Sequence, residues 1–150
     1  MALEIERKFL CDAKKIAALN LSNGEKISQG YLSTEINCTV RIRIKNNRGF
    51  LTIKTANDGI VRNEFEYEIP IADAEKILQL CAKNTLEKTR YKVEFGGHIW
   101  EIDIFEGRHS GLILAEVEMR AADEFVELPD WIGEEVSNNP RYYNSNLAAE

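Results

Sequence analysis

Little in this chain invites a membrane, a secretory route or a metal–thiolate site. No stretch approaches the roughly 18 apolar residues a spanning helix needs. The N-terminus lacks a basic region followed by an apolar core, so no secretory signal is expected. Cys11, Cys38 and Cys81 are odd in number and widely spaced. They have neither zinc nor redox spacing and read as reduced thiols of a cytoplasmic protein. His98 and His109 fall in or near turns, and a lone histidine is weak evidence for a site. No internal repeat, low-complexity tract or linker divides the chain. The net charge is −6, so a nucleic-acid footprint is not the default. Basic groups that converge in one place could still hold a polyanion. The 150 residues, 44% hydrophobic and 29% charged, read as one globular domain over 1–150 with room for a real core.

What the chain has in plenty is strict alternation. Leu3-Glu4-Ile5-Glu6-Arg7-Lys8-Phe9 sets Glu4, Glu6 and Lys8 on one strand face. Val40-Arg41-Ile42-Arg43-Ile44-Lys45 gives a basic face, and Leu51-Thr52-Ile53-Lys54 continues it with one lysine. Glu64-Phe65-Glu66-Tyr67-Glu68-Ile69 is acidic on one side, Lys88-Thr89-Arg90-Tyr91-Lys92-Val93 basic, and Trp100-Glu101-Ile102-Asp103-Ile104 acidic again. Ala115-Glu116-Val117-Glu118-Met119-Arg120 closes the set. Such alternation marks half-buried antiparallel strands. Any one of these faces could simply meet water. Together they are too uniform in sign, and Glu64, Glu66 and Glu68 would repel one another unless a cation or facing arginines offset them.

Strands are expected near 2–10, 25–34, 38–47, 49–56, 60–70, 86–95, 98–106 and 112–120. Turn signals at Asn46-Asn47-Arg48-Gly49, Asn57-Asp58-Gly59, Gly96-Gly97 and His109-Ser110-Gly111 separate several of them. Helices fit Asp12 to Ala18, Ala72 to Ala82 and Ala121 to Phe125. The tail from Pro129 holds a Trp131-Ile132-Gly133 turn and a short helix near Ser145 to Ala149. The fold class is therefore α+β, a closed eight-stranded antiparallel β-barrel with a few flanking helices. Such a barrel has room inside for side chains or one small ligand. The alternation alone leaves open whether the charges point outward, around an ordinary core, or inward. A charged lumen is viable only if it is wet, internally paired and built for a charged ligand.

The charged segments resemble the CYTH domains, also called triphosphate tunnel metalloenzymes. The hallmark is Glu4-Ile5-Glu6-Arg7-Lys8 at the extreme N-terminus. Gln29-Gly30-Tyr31-Leu32, Arg41-Ile42-Arg43, Thr52-x-Lys54, Arg62-x-Glu64-x-Glu66, Lys88-Thr89-Arg90-Tyr91, Asp103 and Glu116-Val117-Glu118 follow in family order. Arg141-Tyr142-x-Asn144 and Leu147-Ala148 resemble the C-terminal segment of the small bacterial members. The resemblance implies a tunnel with its charges inward; the apolar outer wall then needs cover from helices or, in a homodimer, from a partner subunit. It implies Lys8, Arg41, Arg43, Lys54, Lys88 and Arg90 as ligands of a linear triphosphate. It implies Glu4, Glu6, Glu64, Glu66, Asp103, Glu116 and Glu118 as holders of Mg²⁺ or Mn²⁺. It also suggests Lys8 and a Tyr31–Lys54 pair as catalytic groups. The implied reaction is metal-dependent hydrolysis of inorganic tripolyphosphate, a small-molecule substrate, with no nucleic acid and no membrane as partner. Rival readings are an adenylyl cyclase or organic triphosphatase on the same scaffold, a non-catalytic polyphosphate-binding module, and a plain barrel with its charges outside.

Overall fold

The computed structural model describes residues 3–56 and 58–150. Ala2, expected in the first strand, and Asn57, expected in a turn, lie outside the described residues. The strands are β1 (Leu3–Cys11), β2 (Glu25–Glu35), β3 (Cys38–Lys45), β4 (Arg48–Thr55), β5 (Val61–Ile69), β6 (Thr85–Phe95), β7 (His98–Phe105), β8 (Ile113–Glu118) and β9 (Ile132–Glu135). The helices are α1 (Ala13–Ala17), α2 (Ile71–Leu80) and α3 (Asn144–Ala149).

The sheet runs β5-β4-β3-β2-β6-β7-β8-β1 and closes where β1 pairs with β5, as an eight-stranded antiparallel barrel. β1 spends one edge on β8, from Glu6↔Glu118 to Leu10↔Leu114. Its other edge is shared. Leu3 to Ile5 pair with β5, and Phe9 and Cys11 pair with β9. The barrel thus closes over three residues of β1, and a ninth strand covers the edge that β5 leaves bare. Two hairpins follow the turn signals. Asn46 and Asn47 at φ 53° and 58°, and Gly96 and Gly97 at φ 61° and 80°, supply the left-handed pairs a two-residue hairpin requires.

Alternation sends the two faces of each strand to different fates. The apolar cores lie on the outside of the barrel wall. Phe9, Trp100, Ile102, Ala115 and Val117 pack with Trp131 over β1, β7 and β8. Ring centroids there are 5.6 Å apart for Phe9–Trp100 and 5.7 Å for Trp100–Trp131. Helix α2 covers β3, with Ala74, Ile77 and Leu78 against Ile42 and Ile44. The chain thus covers β1, β3, β7 and β8 itself, while Phe65 and Tyr67 on the outer face of β5 stay exposed. At one end of the barrel the inward positions turn apolar: Leu86, Phe105 and Leu114 meet Leu147 and Ala148 of α3. The tail docks across this end.

Two local expectations need correction. No helix forms over Ala121 to Phe125; the stretch is a turn in which Glu124 N–H donates to Ala121 O at 3.1 Å. Five residues with Phe125 82% exposed bury no apolar stripe that could offset the cost of nucleating a helix. Of Trp131-Ile132-Gly133, only Trp131 lies in a turn, in which Ile132 N–H donates to Pro129 O at 3.3 Å, while Ile132 and Gly133 open β9.

Candidate active site in the barrel lumen

The inward face of the barrel encloses a cavity of about 240 Å³. Its lining includes Lys8, Arg41, Arg43, Lys54, Lys88 and Arg90, all six expected phosphate ligands, together with Tyr31. Six of the seven expected acids line it as well: Glu4, Glu6, Glu64, Glu66, Glu116 and Glu118. The ionic side chains therefore point inward, against the reading of a plain barrel with charges in water. Lys45, the last residue of β3, and Glu101 of β7 also reach the lumen. Glu68 instead takes Arg48 Nε at 2.9 Å in an exposed pair.

Register explains how opposite charges meet. Lys54 lies across from Glu64, Thr52 from Glu66, Arg90 from Asp103 and Arg43 from Gln29. The Lys54 ammonium donates to Glu4 at 3.1 Å and pairs with Glu64 at 3.1 Å. Arg62 Nε donates to Glu4 at 3.0 Å. Burial alone would raise the Glu4 pKa, but Lys54 and Arg62 outweigh it and hold the carboxyl at about 2. Arg41 Nη2 donates to Thr52 Oγ1 at 3.0 Å and to Glu66 at 3.3 Å. Its Nε is buried without an acceptor among the described residues. A buried donor of this kind is costly unless something fills its place.

Two cations of β6 are held from behind. Asp103 accepts Lys88 Nζ at 2.7 Å and Arg90 Nε and Nη2 at 2.7 and 2.8 Å. Asp103 is 1% exposed and is not among the residues lining the cavity. Its expected place among the metal-holding acids does not fit this geometry, because both oxygens are spent on the two cations. Burial lowers the Lys88 pKa to about 7, with Asp103 opposing the shift and Arg90 and Arg43 adding to it. Arg43 is lowered to about 9 by burial and by neighbouring Arg41 and Arg90.

The carboxyl groups test the fit of a divalent cation. Burial and the neighbouring Glu116 and Glu4 carboxylates push the Glu6 pKa well up. Glu116 stays well below the usual carboxylate range because Lys8 and Arg90 overcome its burial. Burial and the neighbouring Glu4 likewise raise the Glu64 pKa, against Lys54. Among the described residues no group of three acids stands ready as a metal cage. That is compatible with Mg²⁺ or Mn²⁺, which keep waters and need one or two carboxylates plus substrate oxygens. Neighbouring hard-oxygen groups of this kind, Glu6 with Glu116 and Glu4 with Glu64, are of the right chemistry to meet through such an ion.

Some residues in or behind the lumen wall carry no alternation signal. Gln29 is fully buried and accepts two bonds from Arg43. Asn144 accepts Lys88 Nζ at 2.8 Å, and the Tyr142 carbonyl accepts Lys8 Nζ at 3.2 Å, so the tail completes the end of the site. Arg62 stands in the quoted Arg-x-Glu-x-Glu run, yet its reach to Glu4 depends on the β1–β5 closure. Tyr31 and Lys54 both line the lumen, but among the described residues no hydrogen bond joins them.

Comparison with known proteins adds four findings. The sequence profile of the CYTH domain matches residues 2–148. An inorganic triphosphatase of Acetivibrio thermocellus is 45% identical over 148 residues, 98% of this chain and 94% of that protein. One of Nitrosomonas europaea is 36% identical over 150 residues, 97% of this chain and 96% of that protein. A crystal structure described as an inorganic triphosphatase superposes with a TM-score of 0.67 at 33% identity, covering 100% of this chain and 97% of that one.

Proposed function

The chain belongs to the CYTH domain family, and from that premise we propose that it hydrolyses a linear triphosphate, with inorganic tripolyphosphate as its preferred substrate, to pyrophosphate and phosphate. The observation that carries the reading is the lumen itself, about 240 Å³ and walled by cations and acids. That volume is below the roughly 300–1,000 Å³ of ordinary organic-ligand pockets. It suits a slender phosphate chain better than one bearing a base or a thiazolium. Two near full-length relatives named for this activity support it.

A triphosphate carries a charge of about −4 or more at neutral pH, by extension from phosphate titration. Arg41 and Arg43 would bind its oxygens through guanidinium forks, and the unsatisfied Arg41 Nε is one donor awaiting an acceptor. Lys8, Lys88 and Arg90 would hold the chain from the tail-side end, with Asp103 keeping the last two aimed. Water attacks the terminal phosphorus in line, the bridging P–O bond breaks, and pyrophosphate departs. Lys54, and Tyr31 through its hydroxyl, would stabilise charge on the oxygens of the transferred group. Glu4, Glu6, Glu64, Glu66, Glu116 and Glu118 would hold Mg²⁺ or Mn²⁺. When bound, such an ion polarises the phosphoryl group and offsets its charge.

Phosphate release from tripolyphosphate, ATP, thiamine triphosphate and pyrophosphate, each with Mg²⁺, Mn²⁺ or chelator, tests the proposal. Tripolyphosphate should turn over fastest, and chelator should stop it. No turnover with any metal would refute the enzyme; faster ATP hydrolysis would refute the substrate.

A further inference from the structure

Gln29 is an uncharged, fully buried residue that contacts Arg43, Tyr31 and Asn144 of the ion-lined lumen wall. It faces Arg43 across the β2–β3 ladder. Its Oε1 accepts Arg43 Nε at 2.9 Å and Nη2 at 2.7 Å. Arg43 can only donate, so the amide oxygen must face it, which turns the Gln29 NH₂ to the other side. There the amide donates to the Tyr31 hydroxyl at 3.1 Å and lies 3.5 Å from Asn144 Oδ1, the acceptor of Lys88.

Resting on the function proposed above, we propose that Gln29 is a positioning residue for the hydrolysis, setting the Arg43 guanidinium and the Tyr31 hydroxyl together. Two consequences follow from its being an amide. First, Arg43 is fixed by two hydrogen bonds without losing its charge. Arg90, by contrast, is fixed by the Asp103 carboxylate and is largely neutralised by it. A neutral clamp leaves the full cation for the phosphate chain. Second, Tyr31 receives a hydrogen bond from Gln29, so its own O–H proton is directed elsewhere, and the cavity is what its side chain lines. A carboxylate at position 29 would reverse both effects. It would still accept the two Arg43 bonds, but it would neutralise the guanidinium and draw the Tyr31 proton out of the lumen.

Gln29→Glu is thus a nearly isosteric test in which the Arg43 clamp persists. Kinetics on tripolyphosphate with Mg²⁺, beside thermal melts, compare wild type, Gln29→Glu, Tyr31→Phe and the double variant. The expected result is a melt close to wild type, a raised KM from the neutralised Arg43, and a kcat lowered about tenfold or more. Tyr31→Phe should cost clearly less kcat in the Gln29→Glu background than in wild type, since one hydroxyl is being lost twice. Wild-type kinetic constants in a well-folded Gln29→Glu protein would overturn the proposal, and so would strictly additive losses. Should wild type itself release no phosphate, the proposed function falls. Calorimetric binding of a methylene-bridged triphosphate then decides about Gln29 alone: weaker binding to Gln29→Glu supports its role, equal binding refutes it.

Discussion

Glu6 illustrates a side chain kept at the expense of the apo fold. Burial, with Glu116 and Glu4 close by, raises its pKa well above the ordinary value. A carboxyl raised in the folded state adds stability below its unfolded pKa and loses it as pH climbs toward the folded one. Neutral pH is on the losing side. Glu6→Gln keeps the neutral shape, so in chelator at pH 7 it should melt above wild type, and the gap should close on acidification to about pH 4. The same variant should lose at least tenfold in phosphate release, roughly the effect of removing a metal-site partner. Calorimetric melts across that pH range check the first expectation, and a lower-melting Glu6→Gln protein would contradict it. Lys88 titrates in the opposite sense. With its pKa lowered to about 7 by burial, it sheds its proton as pH rises through neutrality. Because kcat/KM reports the free enzyme, its alkaline limb should fall near that value in wild type. Lys88→Arg, which stays charged, should move the limb up; an unmoved limb would assign it to another group.

At the scale of elements, β9 is a brace rather than part of the site. It covers the stretch of β1 that β5 does not reach, and Trp131 at its entry is 3% exposed against Trp100. Trp131→Ala should cost about 3–5 kcal/mol of stability in urea unfolding while activity per folded molecule holds within about twofold. A large loss of activity at unchanged stability would instead tie the brace to the lumen. β9 also marks where sequence reading stops. Seven of the eight barrel strands are legible through alternation over four or more residues. Ile132-Gly133-Glu134-Glu135 has four residues and no alternation, and Gly133 looks like a turn. It is glycine because a Cβ there would come within 3.2 Å of the Leu10 carbonyl. The site shows the same division. Most inward charges of the alternating strands are legible, while Lys45 and Glu101 line the lumen without standing out from other strand charges. Asp103 looks like any other acid until the β6–β7 register places Arg90 and Lys88 around it. Gln29, Arg62 and Asn144 act through contacts across ladders or from the tail, which no local pattern encodes.

For the whole molecule the decisive quantity is the charge of the lumen, not the net charge of −6. Eight cationic and seven carboxylic side chains line the cavity, so it is close to neutral. Ionic contacts within the wall are what make this arrangement tolerable: Glu4 holds Lys54 and Arg62, and Glu66 holds Arg41. A guest of about −4 changes the balance. It draws the cations toward itself and leaves the carboxylates short of partners in a confined space. A divalent ion entering alone meets the reverse difficulty, since the acids are already paired. Each guest therefore prepares the lumen for the other, and such coupling must be reciprocal. A methylene-bridged triphosphate should bind at least about tenfold more tightly with Mg²⁺ than in chelator, and Mg²⁺ should gain by the same factor when the analogue is present. Calorimetric titrations at fixed free concentrations measure both legs. Equal affinity for the analogue with and without the ion would mean that the six cations suffice to hold the chain, and that the acids serve only to aim them.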